Sequence, residues 1–368
     1  MTQTAFERTL SGYAKEGSLY RAMPDGRIQC FACGHRCPIP DGKAGVCRVR
    51  FNRGGKLYVP SGYVAALQDD PIEKKPFFHA LPGARALSFG MLGCDFHCSY
   101  CQNWITSQAI RDPEAGTNPQ AISAAELADL AIARGCEAVV STYNEPLITS
   151  EWAVQVFKEA KSRGLVTGYV SNGNATPEVL DYIRPWTDLY KVDLKSFNDR
   201  HYRELGGTLE NVCQSIRDIH ARGFWLEVLT LLIPGFNDSE EEITALTKFL
   251  VSVSPDIPWH VTAFHKDYKM TEPENTTSRD LLRAAGIAKA AGIRYIYAGN
   301  IPGKVGEWEN TRCPSCGEVL IERAGFGILS DRLTSGGGRC PGCGIPVPGF
   351  WKKPLTPRPS RQGIRPIL

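Results

Sequence analysis

Apolar residues along this chain gather in short runs separated by longer stretches whose apolar positions recur at helical spacing. The runs Ala86–Met91, Ala138–Thr142, Val166–Val170, Leu189–Leu194, Trp225–Leu232, His260–Phe264 and Tyr295–Ala298 predict buried strands. Between them, stretches such as Thr149–Arg163 and Ser239–Ser252 predict helices, and Ser123-Ala124-Ala125-Glu126 forms a capping box at the start of another. Strand and helix in turn argue for a parallel sheet with right-handed crossovers. Six or seven such units predict an α/β fold, a complete or partial (β/α) barrel of the TIM type, with its chemistry at the C-terminal ends of the strands.

The alternation divides the chain. Residues 1–75 form a cysteine-rich segment with strand-like pieces such as Leu57–Pro60, residues 76–305 the barrel, residues 306–350 a unit with two C-x2-C pairs, and residues 351–368 a basic, Pro-rich tail expected to be extended or disordered. A hydrophobic content of 42% with 22% charged residues excludes a disordered protein. The net charge of +3 gives no argument for a nucleic-acid partner. No apolar run approaches the ~18 residues of a membrane helix, and Met1–Arg8 lacks the apolar core of a signal peptide.

Against that background the 13 cysteines acquire meaning, because eleven of them cluster. Clustered cysteines without a secretion signal read as metal ligands in a reducing cytoplasm, not as a disulfide framework. Cys94, Cys98 and Cys101 stand at C-x3-C-x2-C spacing in the loop after the first barrel strand. Three thiolates are one fewer than close an ordinary cubane iron–sulfur site, so one iron would stay open, the mark of a reactive centre. A zinc site would pair C-x2-C with a second distant pair, and no near fourth cysteine follows.

The C-terminal Cys313, Cys316, Cys340 and Cys343 do form two C-x2-C knuckles, each followed by a glycine (Gly317, Gly344). They predict a closed zinc-ribbon or rubredoxin-like site, with zinc the default and iron the alternative. The N-terminal Cys30, Cys33, Cys37 and Cys47 make a second four-thiolate candidate, with His35 as a spare ligand. Their uneven spacing suits zinc or an auxiliary iron–sulfur cluster.

Other polar residues fall at predicted strand ends. Thr142-Tyr143-Asn144-Glu145-Pro146 puts a carboxylate where it could meet a cation, or simply stand solvated at a helix start. Ser171-Asn172-Gly173-Asn174 is a polar turn that serves a ligand or a helix cap equally well. Lys191, Asp193 and Lys195 share one strand face, the barrel interior if the fold is right, where their charges must be paired. Period two along Trp259–His265 separates His260 from His265, and His265 at the strand end is the preferred contact for a ligand.

The cysteine loop is similar to the signature of radical S-adenosylmethionine (SAM) enzymes. From about residue 30 to 350 the chain resembles the radical SAM member of the AmmeMemoRadiSam system, a relative of the pyruvate formate-lyase-activating enzymes. The N-terminal cysteine set, Glu73-Lys74-Lys75-Pro76, Gly93–Asn103, Thr142–Pro146, Pro258–Met270, Tyr297–Asn300 and the C-terminal knuckles carry the resemblance. It implies a radical SAM barrel whose three-cysteine 4Fe–4S cluster binds the amino-acid end of SAM. One electron then releases a 5′-deoxyadenosyl radical that abstracts hydrogen. It also implies Tyr100 beside the adenine, Asn144 and Glu145 in a motif that is commonly Gly-Gly-Glu, and Ser171 and Asn172 at the sugar or amino-acid part. Lys195 would face the SAM carboxylate, Asp193 would lie near it and a monovalent cation, and His265 would contact SAM or substrate. The implied partners are a flavodoxin or ferredoxin as reductant, and Memo-like and AMMECR-like proteins. The substrate stays open between a glycine on a partner protein, as for a glycyl-radical-enzyme activase, and a small molecule, peptide or side chain. A zinc-organised binding module using Lys352, Lys353, Arg358, Arg361 and Arg365 is the alternative from another class, and it leaves Cys94, Cys98 and Cys101 unexplained.

Overall fold

Most of the helices that cross between strands begin where the sequence supplies a cap. The Ser123 hydroxyl accepts from the Glu126 backbone N–H while the Glu126 carboxylate accepts from the Ser123 N–H, and Thr277 with Asp280 repeats the device. Thr176, Thr208 and Ser239 each accept from the backbone N–H three residues on. The helices that start there, and Ser150–Ser162, return the chain between successive strands. The computed structural model describes residues 10, 12–115, 117–351 and the backbone of 365–366. The predicted tail, with its basic residues, lies almost wholly outside the described residues, as does the Met1–Arg8 start.

The central sheet is built from β1 (Ala66–Pro71), β2 (Arg85–Gly90), β3 (Ala138–Ser141), β4 (Val166–Ser171), β5 (Leu189–Asp193), β6 (Trp225–Leu232), β7 (Trp259–Ala263) and β8 (Ile296–Gly299). Neighbours in sequence are neighbours in space. β2 to β8 run parallel, and β1 lies antiparallel against β2. All seven parallel strands were legible as apolar runs; β1 was not. No pairing joins β8 to β1 among the described residues, so the barrel is incomplete. The sheet nevertheless curves, because side chains from β4 to β8 line one common cavity.

The two ends of the half-barrel differ. Ile72, Phe77, Ala80, Leu81 and Ala84 pack with Ala86, Ala138, Val166 and Leu189 at the strand starts and plug that end with apolar bulk. The C-terminal ends of the strands stay open around the cavity.

Two smaller units flank the sheet. On the N-terminal side, Ala14–Glu16, Lys56–Pro60 and Phe51–Arg53 form one small antiparallel sheet and Tyr20–Ala22, Ile28–Cys30 and Pro38–Ile39 another. On the C-terminal side, Thr311–Arg312, Val319–Ala324 and Gly327–Asp331 form a third. This last unit packs through Leu320, Ile321 and Leu333 on Tyr295 and Tyr297 at the β8 edge. His79 fastens the junction: its ring nitrogens meet the Pro348 carbonyl at 2.7 Å and the Tyr297 hydroxyl at 2.6 Å.

Candidate active site

A cavity of about 390 Å³ opens at the C-terminal ends of the strands. Cys98 and Cys101 line it, together with Tyr100 from the same loop, Lys191, Asp193 and Lys195 from and after β5, and His260 and Thr262 from β7. Cys94, half-buried, is not among the lining residues; its Sγ lies 3.8 Å from the Asp95 carboxylate and accepts from the Phe96 N–H at 3.4 Å. Cys101 Sγ lies 3.2 Å from the Ser107 hydroxyl. Burial pushes the Cys98 thiol up to about 12, so the loop holds neutral thiols until a metal displaces their protons.

The residues expected at the strand ends separate into two groups. Glu145, Ser171 and Asn172 do come together, but with Asp95 behind the loop and not among the residues lining the cavity. Glu145 accepts from the Leu147 N–H at 3.0 Å, the Ser171 hydroxyl at 2.7 Å and the Asn172 N–H at 2.7 Å. Burial raises its carboxyl to about 8, with Asp95 adding to the shift. Asp95 in turn accepts from the side chains of Asn172 and Asn174, both at 2.8 Å, and the Asn144 side-chain oxygen accepts from the Met91 N–H at 3.0 Å. Together these bonds fix the cysteine loop against the strand ends.

The second group lines the cavity. Lys191 and Asp193 are ion-paired, and Lys195 Nζ stands 3.7 Å from the other Asp193 oxygen. The Asp193 carboxylate is therefore already paired, and the Lys191 ammonium supplies the charge that a monovalent cation would bring there. Tyr100 packs edge-on against Phe236 at 5.8 Å, and its buried hydroxyl has no hydrogen-bond partner among the described residues.

His265 is placed elsewhere. β7 ends at Ala263, so the period-two face no longer governs position 265, and its exposed ring meets the Gln102 side chain at 3.0 Å. His260 takes the cavity position instead, its Nε2 at 2.7 Å from the buried Glu227 carboxylate. Glu227 also accepts from the Phe78 and His79 N–H groups and the Trp225 indole, which satisfies a charge buried in mid-sheet.

Lys75 and Tyr143 are cavity residues that sequence reasoning passed over. Lys75 is 4% exposed, and its ammonium donates to Asp70 at 2.7 Å and to the Tyr143 hydroxyl at 2.8 Å. Burial lowers it to about 8, against the opposing pull of Asp70. Tyr143 holds φ at +70°, the left-handed conformation that suits glycine. That backbone costs a tyrosine about 1–2 kcal/mol, and the phenol it delivers braces Lys75. The signal was available in the Glu73-Lys74-Lys75-Pro76 block, a charged run beside a proline at the end of what proves to be β1.

The C-terminal cysteines are closer to one another. Cys313 and Cys343 Sγ lie 3.5 Å apart and Cys316 and Cys340 Sγ 3.6 Å apart, with all four ligand atoms within 4.8 Å of one another. Four thiolates tetrahedral about one ion at a Zn–S distance of 2.3 Å would stand about 3.8 Å apart, so the set fits a single metal ion.

A sequence profile of the Radical SAM superfamily matches residues 90–247, which holds the cysteine loop and β3 to β6. Beyond that span, an uncharacterised protein of Methanocaldococcus jannaschii is 34% identical over 334 residues, 90% of this chain and 98% of that one. The chain belongs to the radical SAM superfamily. It is also similar to a pyruvate formate-lyase-activating enzyme of Staphylococcus epidermidis, at 26% identity over 50% of this chain and 78% of the relative. Among solved structures, a domain of a pyruvate-formate lyase-activating enzyme from Bacteroides vulgatus aligns with 44% of this chain and 98% of its own, at 21% identity and a TM-score of 0.40. As a radical SAM protein the chain is an enzyme, and membership implies a 4Fe–4S cluster and SAM as its cofactors. The residues present fit them: three thiols on one loop, two of them facing the cavity beside an unpartnered buried phenol and paired charges. No helix among the described residues is long and apolar enough to cross a membrane.

Proposed function

We propose that Cys94, Cys98 and Cys101 hold the 4Fe–4S cluster and that SAM is cleaved in the adjoining cavity, with hydrogen then abstracted from a substrate in the same space. The observation that carries this reading is that Cys98 and Cys101 face one cavity with Tyr100, Lys191, Asp193 and Lys195. When bound, the cluster supplies the electron that splits SAM into methionine and a 5′-deoxyadenosyl radical.

The chain's own residues do the rest. Lys195 is the contact for the SAM carboxylate, and Asp193, shared between Lys191 and Lys195, holds that ammonium in place. Tyr100 packs beside the nucleoside. Asn144, Glu145, Ser171 and Asn172 act through the loop: they fix where the thiols stand. His260, oriented by Glu227, and Lys75, braced by Tyr143, are left to face the substrate. A one-electron donor of the flavodoxin or ferredoxin type supplies the reducing equivalent. Three units divide the labour, although the boundary expected at residue 75 falls earlier, because β1 (Ala66–Pro71) belongs to the barrel sheet and Lys75 to its cavity; the third unit is 306–350, and zinc fills its thiolates.

Whether the hydrogen comes from a glycine of a partner protein or from a small molecule separates two versions of the reading. The likeness to activating enzymes supports the first. Memo-like and AMMECR-like partners rest on the resemblance of the chain, and copurification tests them. The decisive measurement is 5′-deoxyadenosine release by the anaerobically reconstituted protein. Wild type should form it from SAM, and Cys94→Ala/Cys98→Ala/Cys101→Ala should keep its fold and C-terminal metal yet form none. Unchanged release by that variant would end the proposal.

A further inference from the structure

The four N-terminal cysteines line a small enclosed pocket of their own, with Arg36, Ile39, Gly45 and Arg50 as the rest of its wall. Their arrangement differs from that of the C-terminal four. Among the described residues, only the C-terminal set brings three or more ligand atoms within 4.8 Å of one another. The N-terminal thiols surround a common space without closing on a point, and Cys94, Cys98 and Cys101 fail the same one-ion criterion. Thiolates on separate corners of a cubane stand further apart than thiolates that share one ion.

The surroundings of the pocket suit a redox centre. Arg50 is 1% exposed; its Nε donates to Cys30 Sγ at 3.2 Å, and its other nitrogens form a two-pronged pair with Glu151 at 2.6 and 2.8 Å. A fixed charge-assisted hydrogen bond to a ligand sulfur is a means by which proteins tune cluster potential. The pocket also abuts the central cysteine loop directly. Arg111 donates to the Cys94 carbonyl at 2.7 Å and the Phe96 carbonyl at 3.0 Å with one nitrogen, and to the Val46 carbonyl at 2.7 Å with another. His35 Nε2 meets the Asp95 carbonyl at 3.2 Å. Gly93, at φ +92°, lies so close that a Cβ there would stand 3.2 Å from the Cys47 carbonyl oxygen and 2.9 Å from Val49.

We infer that Cys30, Cys33, Cys37 and Cys47 hold an auxiliary iron–sulfur cluster that relays the reducing electron to the cluster at Cys94, Cys98 and Cys101. The relay half of this inference rests on the reading of the central loop given above. One electron enters from a low-potential flavin or iron–sulfur protein, reduces the N-terminal cluster and passes on to the central one; at the relay no bond is made or broken and no proton moves.

The test uses the full chain, reconstituted anaerobically with iron and sulfide and examined by metal analysis and Mössbauer spectroscopy. Wild type should carry about eight cluster irons besides its C-terminal metal ion. Cys33→Ser/Cys47→Ser should lose about four of them and keep the spectrum of the central cluster. In that variant dithionite-driven SAM cleavage should stay within about twofold, while flavodoxin-driven cleavage falls by at least about tenfold. A second zinc in place of the second cluster overturns the inference, as does unchanged flavodoxin-driven cleavage after the N-terminal irons are gone. The reciprocal variant, with Cys94, Cys98 and Cys101 changed to Ser, covers the case in which the first does not fold. It should retain about four irons, and loss of all cluster iron from a folded protein overturns the assignment. If the reciprocal variant still cleaves SAM, the central reading fails while the N-terminal cluster stands.

Discussion

The C-terminal thiols and the charged wall of the cavity are both tight polar clusters, yet they are built on opposite plans. Cys313, Cys316, Cys340 and Cys343 converge on one point, and a single ion would use all four. Lys191 and Lys195 pair with Asp193, and Lys75 with Asp70, but the cluster still faces about 390 Å³ of open space with His260 and Tyr100. A closed donor set has no position left for a substrate, whereas an open one does. On the function proposed above, the first region holds and the second reacts. The difference also sorts Glu145, whose carboxylate looks from the sequence like a cavity group and proves to be spent on three donors within the fold.

The comparison breaks first at the C-terminal site. Cys340→Ser should remove one full metal equivalent and expose the segment beyond Asn310 to proteolysis, because a small unit of this kind folds with its metal. SAM cleavage by the reconstituted barrel should persist. Loss of cleavage in a folded barrel would mean that the closed site is not merely holding.

A smaller effect should appear at Lys75. Burial lowers this ammonium to about 8 from an ordinary 10.5. Between those values the unfolded chain binds a proton that the folded protein does not, so stability rises with pH across the window. Below pH 8 both states are protonated and the slope vanishes. The accumulated contribution is on the order of 3 kcal/mol by pH 10.5. Urea midpoints from pH 8 to 10 should show the slope in wild type and lack it in Lys75→Met; equal slopes would mean that buried Lys75 keeps its proton in the folded protein across that range.

The comparison sharpens at Glu145. Glu145→Ala leaves buried donors without an acceptor and should lower unfolding stability by about 1–3 kcal/mol, while SAM affinity of the folded protein shifts by less than about threefold. Intact stability with a tenfold weaker affinity would move the acid to the cavity side.

What the sequence disclosed follows the same physics. β3 and β5 were legible because Ala138–Ser141 and Leu189–Val192 are buried throughout, and such runs have few alternatives. β1 was hidden because it carries Asp69 and Asp70, which read as solvent-facing until their partners Arg85, Lys74 and Lys75 are seen. The cysteine spacings were legible because ligands held by one loop are fixed by that loop alone. The use made of Glu145 was not, since its partners Ser171 and Asn172 come from the next strand. His265 was favoured over His260 because it stands at the end of the apolar run; the strand stops at Ala263, so it is His260, within the strand, that faces the cavity.

Arg111 and Arg50 bear on how the molecule is born. The cysteines at 30 to 47 leave the ribosome first, yet the guanidinium that ties Val46 to the central loop arrives 65 residues later. Glu151, the counter-charge of Arg50, follows its partner by 101 residues. The N-terminal pocket is therefore finished only after the strands up to β3 and the start of the following helix have emerged. Any metal that the pocket takes up meets its complete wall only after those strands are in place, so its loading would be timed by the barrel and not by the cysteines themselves.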